Sequence, residues 1–162
     1  NPCKCGNFLD SSKSCDCTPK QIQQYMGKLS GPLLDRIDIH IEVSSVKYKD
    51  LENTGESERS GIIRERVNKT RRIQLERYKG MKIYSNSQLQ PSMINKFCTL
   101  DDDCKLLLRN AFDKLGLSAR AHSRILKVAR TIADMDNCEN IRTNHLAEAI
   151  QYRSLDRRFW NT

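Results

Sequence analysis

Residues 30–43 read SGPLLDRIDIHIEV, a turn that leads into a regular alternation of apolar and polar side chains. Gly31-Pro32 ends any preceding helix, because proline lacks the amide hydrogen and pushes the residue before it out of the α region. From residue 37 onward, isoleucines and a valine alternate with acidic and imidazole side chains. Such period-two alternation is typical of a strand with one buried face. The sequence therefore predicts a strand over residues 37–43, with Arg36 at its start.

The composition indicates a highly charged chain with a basic surface. The 162 residues are 38% hydrophobic and 30% charged, with a formal net charge of +8. This length suits one ordinary domain or two small ones. The charge favours an anionic partner, either nucleic acid or nucleotide phosphates, although a solvated basic surface explains it equally well. No apolar run approaches the roughly 18 residues of a membrane span and no apolar signal region opens the chain, so we expect a cytoplasmic protein without a membrane partner.

Four cysteines cluster near the start of the chain, with the spacing C-x-C, nine residues, C-x-C. They are Cys3, Cys5, Cys15 and Cys17. Four thiolates this close in sequence can surround one Zn²⁺ tetrahedrally, which predicts a structural zinc knuckle that leaves no position for a catalytic water. The alternative is a set of free thiols or adventitious disulfides. A disulfide framework is disfavoured by the odd total of seven cysteines.

The middle of the chain contains two predicted helices and a linker. Thr18-Pro19 opens the first helix, which extends to about residue 29. Residues 44–58 lose the apolar alternation and predict an exposed, mobile linker. Residues 59–79 predict a second helix that ends before Gly80. Its imperfect apolar stripe consists of Ile62, Val67, Ile73 and Leu75.

This second helix holds most of the excess positive charge. Arg64, Arg71 and Arg72 are candidate contacts to a nucleic-acid phosphate backbone. The alternative is a solvated face stapled by pairs of glutamate and arginine. Few aromatic residues are interleaved with the cations, so the sequence does not support base stacking on single strands.

The C-terminal half predicts a helical bundle. A short helix covers residues 92–97, and an acidic N-terminal signature then opens a helix that ends at Gly116. Ser118 caps the next helix, and Thr143 caps the last one. Cys104 lies on the apolar face of the helix that ends at Gly116 and is expected to be a core thiol, whereas Cys98 and Cys138 are isolated in sequence and are not expected to bind metal. The three histidines show no shared ligand spacing.

Three strings together carry a family resemblance: residues 30–43, Asn1-Pro2-Cys3, and GLSARAHSRILKVARTIAD at residues 116–134. The sequence resembles the magnesium-chelatase-like AAA+ ATPases of bacteria, and within them the competence-protein branch. The resemblance covers nearly the whole chain and implies the C-terminal part of such a protein. The implied fold is mainly α, a lid-type helical bundle preceded by a remnant of the α/β ATPase core with a zinc knuckle, a helix and one strand. The implied divisions are a core remnant at 1–43, a linker at 44–58, the helical lid at 59–154 and a tail at 155–162.

The resemblance implies a role for Arg36 as an arginine finger. Such a residue reaches the nucleotide bound by the adjacent subunit and neutralises charge on the transferring phosphoryl group. The alternative is local pairing of Arg36 with Asp35 or Asp38. The resemblance also implies that Asn1 is the sensor 1 residue, which orients the attacking water.

A second set of implied site residues opens the helix after Ser118. Arg120 matches the sensor 2 position, and Arg124 is the reserve candidate for the same role. A cation in the first turn of a helix lies near the positive end of the helix dipole, where phosphate binds well. The alternative is an ordinary solvated arginine.

The implied function is that of one part of a motor. The sequence contains no G-x-x-x-x-G-K-[ST] loop and no acidic Mg²⁺ motif, so we expect the chain alone not to hydrolyse ATP. The parent protein would be a ring-forming ATPase, expected to be hexameric, that uses ATP and Mg²⁺ and moves branched recombination junctions in DNA. The alternatives are a stand-alone zinc-knuckle and helical DNA-binding module, and a helical protein-interaction domain. Without neighbouring strands, residues 30–58 are expected to be disordered, or to be ordered only through an intermolecular contact or by packing on the helical part.

Overall fold

The computed structural model describes residues 3–8, 10, 12–43, 46, 48–52 and 57–153. The fold of these residues is mainly helical, as the sequence predicted, with eight α-helices and one 3-10 turn at Asn86–Gln88. Three helices precede the bundle and five form it. In chain order they are α1 Pro19–Met26, α2 Gly31–Leu34, α3 Tyr48–Leu51, α4 Ser60–Arg77, α5 Pro91–Phe97, α6 Asp102–Leu115, α7 Ala119–Met135 and α8 Thr143–Gln151.

The helix ends follow the capping residues in the sequence. Asp101 accepts the Cys104 amide at 2.8 Å and starts α6, and Ser118 accepts the Ala121 amide at 3.2 Å and starts α7. Gly116 ends α6 in the left-handed region with φ 51°, where glycine has no side-chain penalty. The last helix differs slightly from its prediction, because Thr143 is its first residue rather than its cap.

The core of the bundle forms around α7, which packs against α4, α5 and α8, while α6 packs against α8. Ile125 of α7, Leu146 of α8 and Cys104 of α6 are completely buried. Burial raises the pKa of the Cys104 thiol to about 12, so this cysteine stays a neutral core side chain as predicted. Apolar burial on this scale is the main source of stability in a small helical domain.

The predicted aliphatic stripe of α4 is wrong. Its members Ile62, Val67 and Leu75 are 46–54% exposed, whereas Thr70 and Gln74 are buried. The bundle offers α4 a polar surface, because α7 carries a buried carboxylate there that needs hydrogen-bond donors. The helix therefore turns its polar face inward and leaves aliphatic side chains outside.

The predicted strand over residues 37–43 is also wrong. Alternation specifies a strand only where a partner strand supplies ladder hydrogen bonds, and none of the described residues does so. Ile41 and Val43 are 66% and 83% exposed. The segment instead contacts the helical bundle, where the His40 amide donates to the Tyr152 carbonyl at 2.9 Å. Packing on the helical part is one of the three arrangements expected for the segment.

Part of the predicted linker is described and is helical. The single turn α3, Tyr48–Leu51, lies within residues 44–58, and its residues Tyr48 and Leu51 are exposed. Residues 44–45, 47 and 53–56 lie outside the described part of the chain. Within that described part, no helix combines the length and the apolar character needed to cross a membrane.

Candidate functional site

The predicted finger residue Arg36 lies in an exposed loop directly after α2. Its guanidinium donates to the Pro32 carbonyl at 3.4 Å. The two flanking acidic residues are engaged by other arginines, since Asp35 lies 3.5 Å from Arg153 and Asp38 pairs with Arg124. The local pairing considered for Arg36 is therefore absent from the described residues, and its charge faces solvent.

The predicted sensor 2 residues line an open cavity of about 380 Å³ at the N-terminus of α7. Arg120 is exposed, while Arg124 is partly covered by its ion pair with Asp38. A third cation, Lys127, donates to the Ser87 carbonyl at 3.0 Å from the neighbouring 3-10 turn. Three cations thus line the cavity together with the Asp38 carboxylate, and the rest of the lining is Ser87, Ala119 and Ser123.

The electrostatics of this cavity favour an anion. Burial lowers the pKa of Lys127, and repulsion from Arg124 lowers it further. A bound anion would offset the repulsion between these two cations, and an oxyanion could also accept several of their hydrogen bonds. The positive end of the α7 dipole points the same way. A phosphate group has the charge and the acceptors that this cavity can satisfy.

The structure links two of the predicted site regions and leaves a third apart. Asp38, two residues after Arg36, bonds to Arg124, so the loop after α2 and the α7 cavity adjoin each other. The basic residues Arg64, Arg71 and Arg72 are exposed on α4 and do not line this cavity. Asn1, the predicted sensor 1 residue, lies outside the described residues.

The four N-terminal cysteines form a compact cluster. Their sulfurs all lie within 4.8 Å of one another, and Cys3 Sγ is 3.3 Å from Cys5 Sγ and 3.7 Å from Cys15 Sγ. With Zn–S bonds of about 2.3 Å, a tetrahedral zinc holds its sulfurs roughly 3.8 Å apart. Both the donor set and the spacing therefore fit a Cys₄ zinc ion. The cluster lies outside the cavity lining and has a structural rather than a catalytic geometry.

Hydrogen bonding within the cluster separates the acidities of its thiols. Burial raises the pKa of Cys3, but hydrogen bonds from Cys5 and from the Phe8 amide outweigh it and lower the pKa to about 6. For Cys15, a backbone hydrogen bond from Cys17 lowers the pKa, yet burial and the neighbouring thiols prevail and raise it to about 12. These opposite pKa shifts favour a thiolate at Cys3 and a protonated thiol at Cys15, whereas a bound metal ion would deprotonate its thiol ligands.

A buried polar network on the bundle was missed by the sequence analysis. Asp134 of α7 is 1% exposed and accepts from Arg77 at 2.7 Å, from Asn86 at 2.9 Å and from Arg130 at 3.1 Å. The hydrogen bond between Arg77 and the Asp134 carboxylate is the main cause of the raised pKa of Arg77. The available signal was the Arg130–Asp134 spacing of one helical turn beside the apolar stripe of α7.

Comparison with known proteins identifies the family. Residues 57–153 match the family described as magnesium chelatase, subunit ChlI C-terminal, and residues 1–51 match the family described as magnesium chelatase, subunit ChlI. The first match covers more than half of the chain, and the chain belongs to the magnesium chelatase ChlI C-terminal family. The predicted family resemblance is confirmed, and it relates the chain to the AAA+ ATPases.

Curated relatives align over almost the whole chain. The chain is 43% identical over 158 residues to the competence protein ComM of Haemophilus influenzae and 38% identical over 160 residues to the uncharacterized protein YifB of Escherichia coli, covering 97% of this chain in both alignments. It is 28% identical over 153 residues, or 94% of its length, to the uncharacterized protein Mb2921c of Mycobacterium bovis. The chain spans about 30% of the length of these relatives.

Proposed function

We propose that the chain is part of a subunit in a ring-forming AAA+ ATPase, expected to be hexameric and cytoplasmic, and that Arg36 is its arginine finger. The observation that carries this proposal is the arrangement of charges on the loop. Asp35 and Asp38 are held by Arg153 and Arg124, so Arg36 keeps its charge exposed at the surface. Such a cation can stabilise a phosphoryl group on a neighbouring subunit, an effect worth about 10³–10⁵ in rate where enzymes use it.

The cavity at the start of α7 is the proposed contact with nucleotide phosphates. Arg120 is exposed on its wall and needs to break no described ion pair to meet an anion. Arg124 is the reserve for this role, because it would first have to leave Asp38. The family resemblance supports both assignments and supports Asn1 as sensor 1. ATP and Mg²⁺ would be held mainly by a phosphate loop that this sequence lacks.

The cysteine cluster is proposed to hold structural zinc. Cys3, Cys5, Cys15 and Cys17 would supply four thiolates in a closed site, so the ion would fix the fold of the N-terminal segment without taking part in hydrolysis. The short distances between the sulfurs support this assignment over scattered free thiols.

DNA is the proposed substrate of the motor. The relative from Haemophilus influenzae is named a competence protein, and α4 exposes Arg64, Arg71 and Arg72, which could contact a phosphate backbone. Two other cations of this region are less available, since Arg66 pairs with Glu58 at 2.9 Å and Arg77 is held by Asp134. By resemblance, the proposed work is the movement of branched recombination junctions.

A stand-alone zinc-knuckle and helical DNA-binding module is the second candidate, supported by the same cysteine cluster and the exposed α4 cations. The two readings differ in their need for ATP. Tight, ATP-independent binding of duplex DNA by this chain, with a steep loss of affinity as salt rises, would favour the module.

Steady-state ATP hydrolysis by the longer parent protein tests the proposed finger. We expect Arg36→Ala to lower kcat by roughly 10³-fold and to change KM for ATP little, because the lost contact forms mainly in the transition state. Arg109→Ala, which removes an exposed arginine of α6, is the matched control and should keep the original rate. Unchanged hydrolysis by the Arg36 variant would overturn the proposal.

A further inference from the structure

Arg153 is a buried cation at the end of the last helix, where no catalytic role was predicted. Its side chain has 0% exposure, although arginine is almost never fully buried without partners. It lies two residues after α8, and its guanidinium donates to backbone carbonyls at the end of α2 and in the loop that follows. The functional assignments above use Arg153 only as the partner of Asp35.

The guanidinium of Arg153 contacts one short segment, residues 34–40, which we call the finger loop. It donates to the Ile37 carbonyl, to the Leu34 carbonyl at 3.5 Å and to the Asp35 carboxylate at 3.5 Å. These three acceptors lie immediately before and after Arg36 in the chain. Arg153 therefore donates hydrogen bonds to the backbone on both sides of Arg36, the proposed finger.

Two further contacts hold the same loop. The Tyr152 carbonyl accepts from the His40 amide at 2.9 Å, and Arg124 of α7 pairs with Asp38. The bundle thus attaches to the finger loop at five points between Leu34 and His40, while α2 fixes its start. Since the loop has no strand partner among the described residues, these attachments define its position.

The contacts of the Arg153 guanidinium suit a role in positioning the finger loop better than a role in stabilising the fold. A planar guanidinium can meet two carbonyls and a carboxylate at fixed angles, which a flexible ammonium cannot reproduce. A buried ion pair often adds little stability compared with apolar packing, because desolvation offsets the attraction. A catalytic group, in contrast, loses about 10²-fold in rate when it moves by about 1 Å.

We propose that Arg153 is a positioning residue that holds the finger loop on the helical bundle so that Arg36 projects in one direction. The proposal rests on the proposed function for its catalytic consequence, whereas its structural part concerns this chain alone. It links the end of the lid domain to a residue that acts on the neighbouring subunit.

Amide hydrogen exchange in this chain tests the structural part. Arg153→Ala should speed exchange of the His40 amide at least tenfold and leave the α7 amides within about twofold of their original rates. Arg153→Lys should give partial protection, and Arg109→Ala is the control for removal of an exposed cation. Unchanged exchange at His40 would overturn the proposal, as would equal loss of protection throughout α7, which would mean that Arg153 supports the bundle in general.

A double-mutant comparison in the longer parent protein tests the catalytic part. We expect Arg153→Ala to lower kcat about 10²-fold with little change in KM for ATP. Added to Arg36→Ala, it should cause no further loss, because residues that act through one another are not additive. Independent, multiplying losses would overturn the positioning role. If Arg36→Ala alone keeps full activity, the proposed finger fails while the exchange experiment still decides whether Arg153 holds the loop.

Discussion

The helical bundle at residues 57–153 and the segment at residues 3–52 are stabilised in different ways. The bundle encloses an apolar core that includes Ile125 and Leu146. In the N-terminal segment, Cys3 and Met26 are the buried members of the described residues. The segment is held instead by its cysteine cluster and by contacts from Arg153 and Arg124. The bundle is therefore a self-sufficient support, and the segment is a functional attachment whose order depends on a few polar contacts.

The difference is consistent with the proposed place of Arg36 at the junction of the two regions. A loop with little burial can expose a charged side chain at low cost, whereas a packed helix can hold that loop in place. The finger loop provides Arg36, and the bundle provides the fixed cations that neutralise its neighbouring carboxylates. Neither region alone would present an isolated, oriented arginine.

The largest expected effect is a loss of stability of the helical bundle. Asp134→Ala should lower the free energy of unfolding by about 3–5 kcal/mol, because it leaves Arg77 and Arg130 in the interior without their anion. Thermal or urea unfolding followed by circular dichroism measures the change. Asp113→Ala, at an exposed position of α6, is the matched control and should stay within about 0.5 kcal/mol of the original chain. Equal stability of the two variants would show that the polar network does not support the bundle.

The next effect concerns the N-terminal segment. Purified without chelator, the chain should carry about one Zn²⁺, and Cys15→Ser should lose it, because three thiolates no longer close the site. Metal analysis measures the ion, and amide spectra should change before Ser30. The unfolding midpoint of the bundle should barely move. A metal-free original chain, or a bundle that melts with the knuckle, would contradict the separation of the two regions.

Sequence reasoning succeeded where local chemistry decides the structure. Asp101, Ser118 and Gly116 specify helix ends through contacts within a few residues, so the bundle helices were placed nearly where they occur. The cysteine cluster likewise followed from spacing alone.

It failed where long-range contacts decide. Ile62 and Val67 have the pattern of a buried stripe, yet both are exposed. The buried Asp134 carboxylate, some 60 residues away, accepts a hydrogen bond from Arg77 and orients the polar face of α4 toward the bundle. Residues 37–43 have the pattern of a strand, but the described chain offers them no strand partner. Arg153 gave no signal, because its partners lie more than 100 residues earlier in the chain.

The central claim is that the bundle presents Arg36 to a phosphoryl group in transfer, and a transition-state analogue tests it most directly. The measurement is the affinity of the longer parent protein for ADP with aluminium fluoride, compared with its affinity for ATP. We predict that Arg36→Ala weakens binding of the analogue by at least about 10²-fold while ATP affinity stays within about threefold. Equal affinities of the original protein and the Arg36 variant for the analogue would contradict the claim.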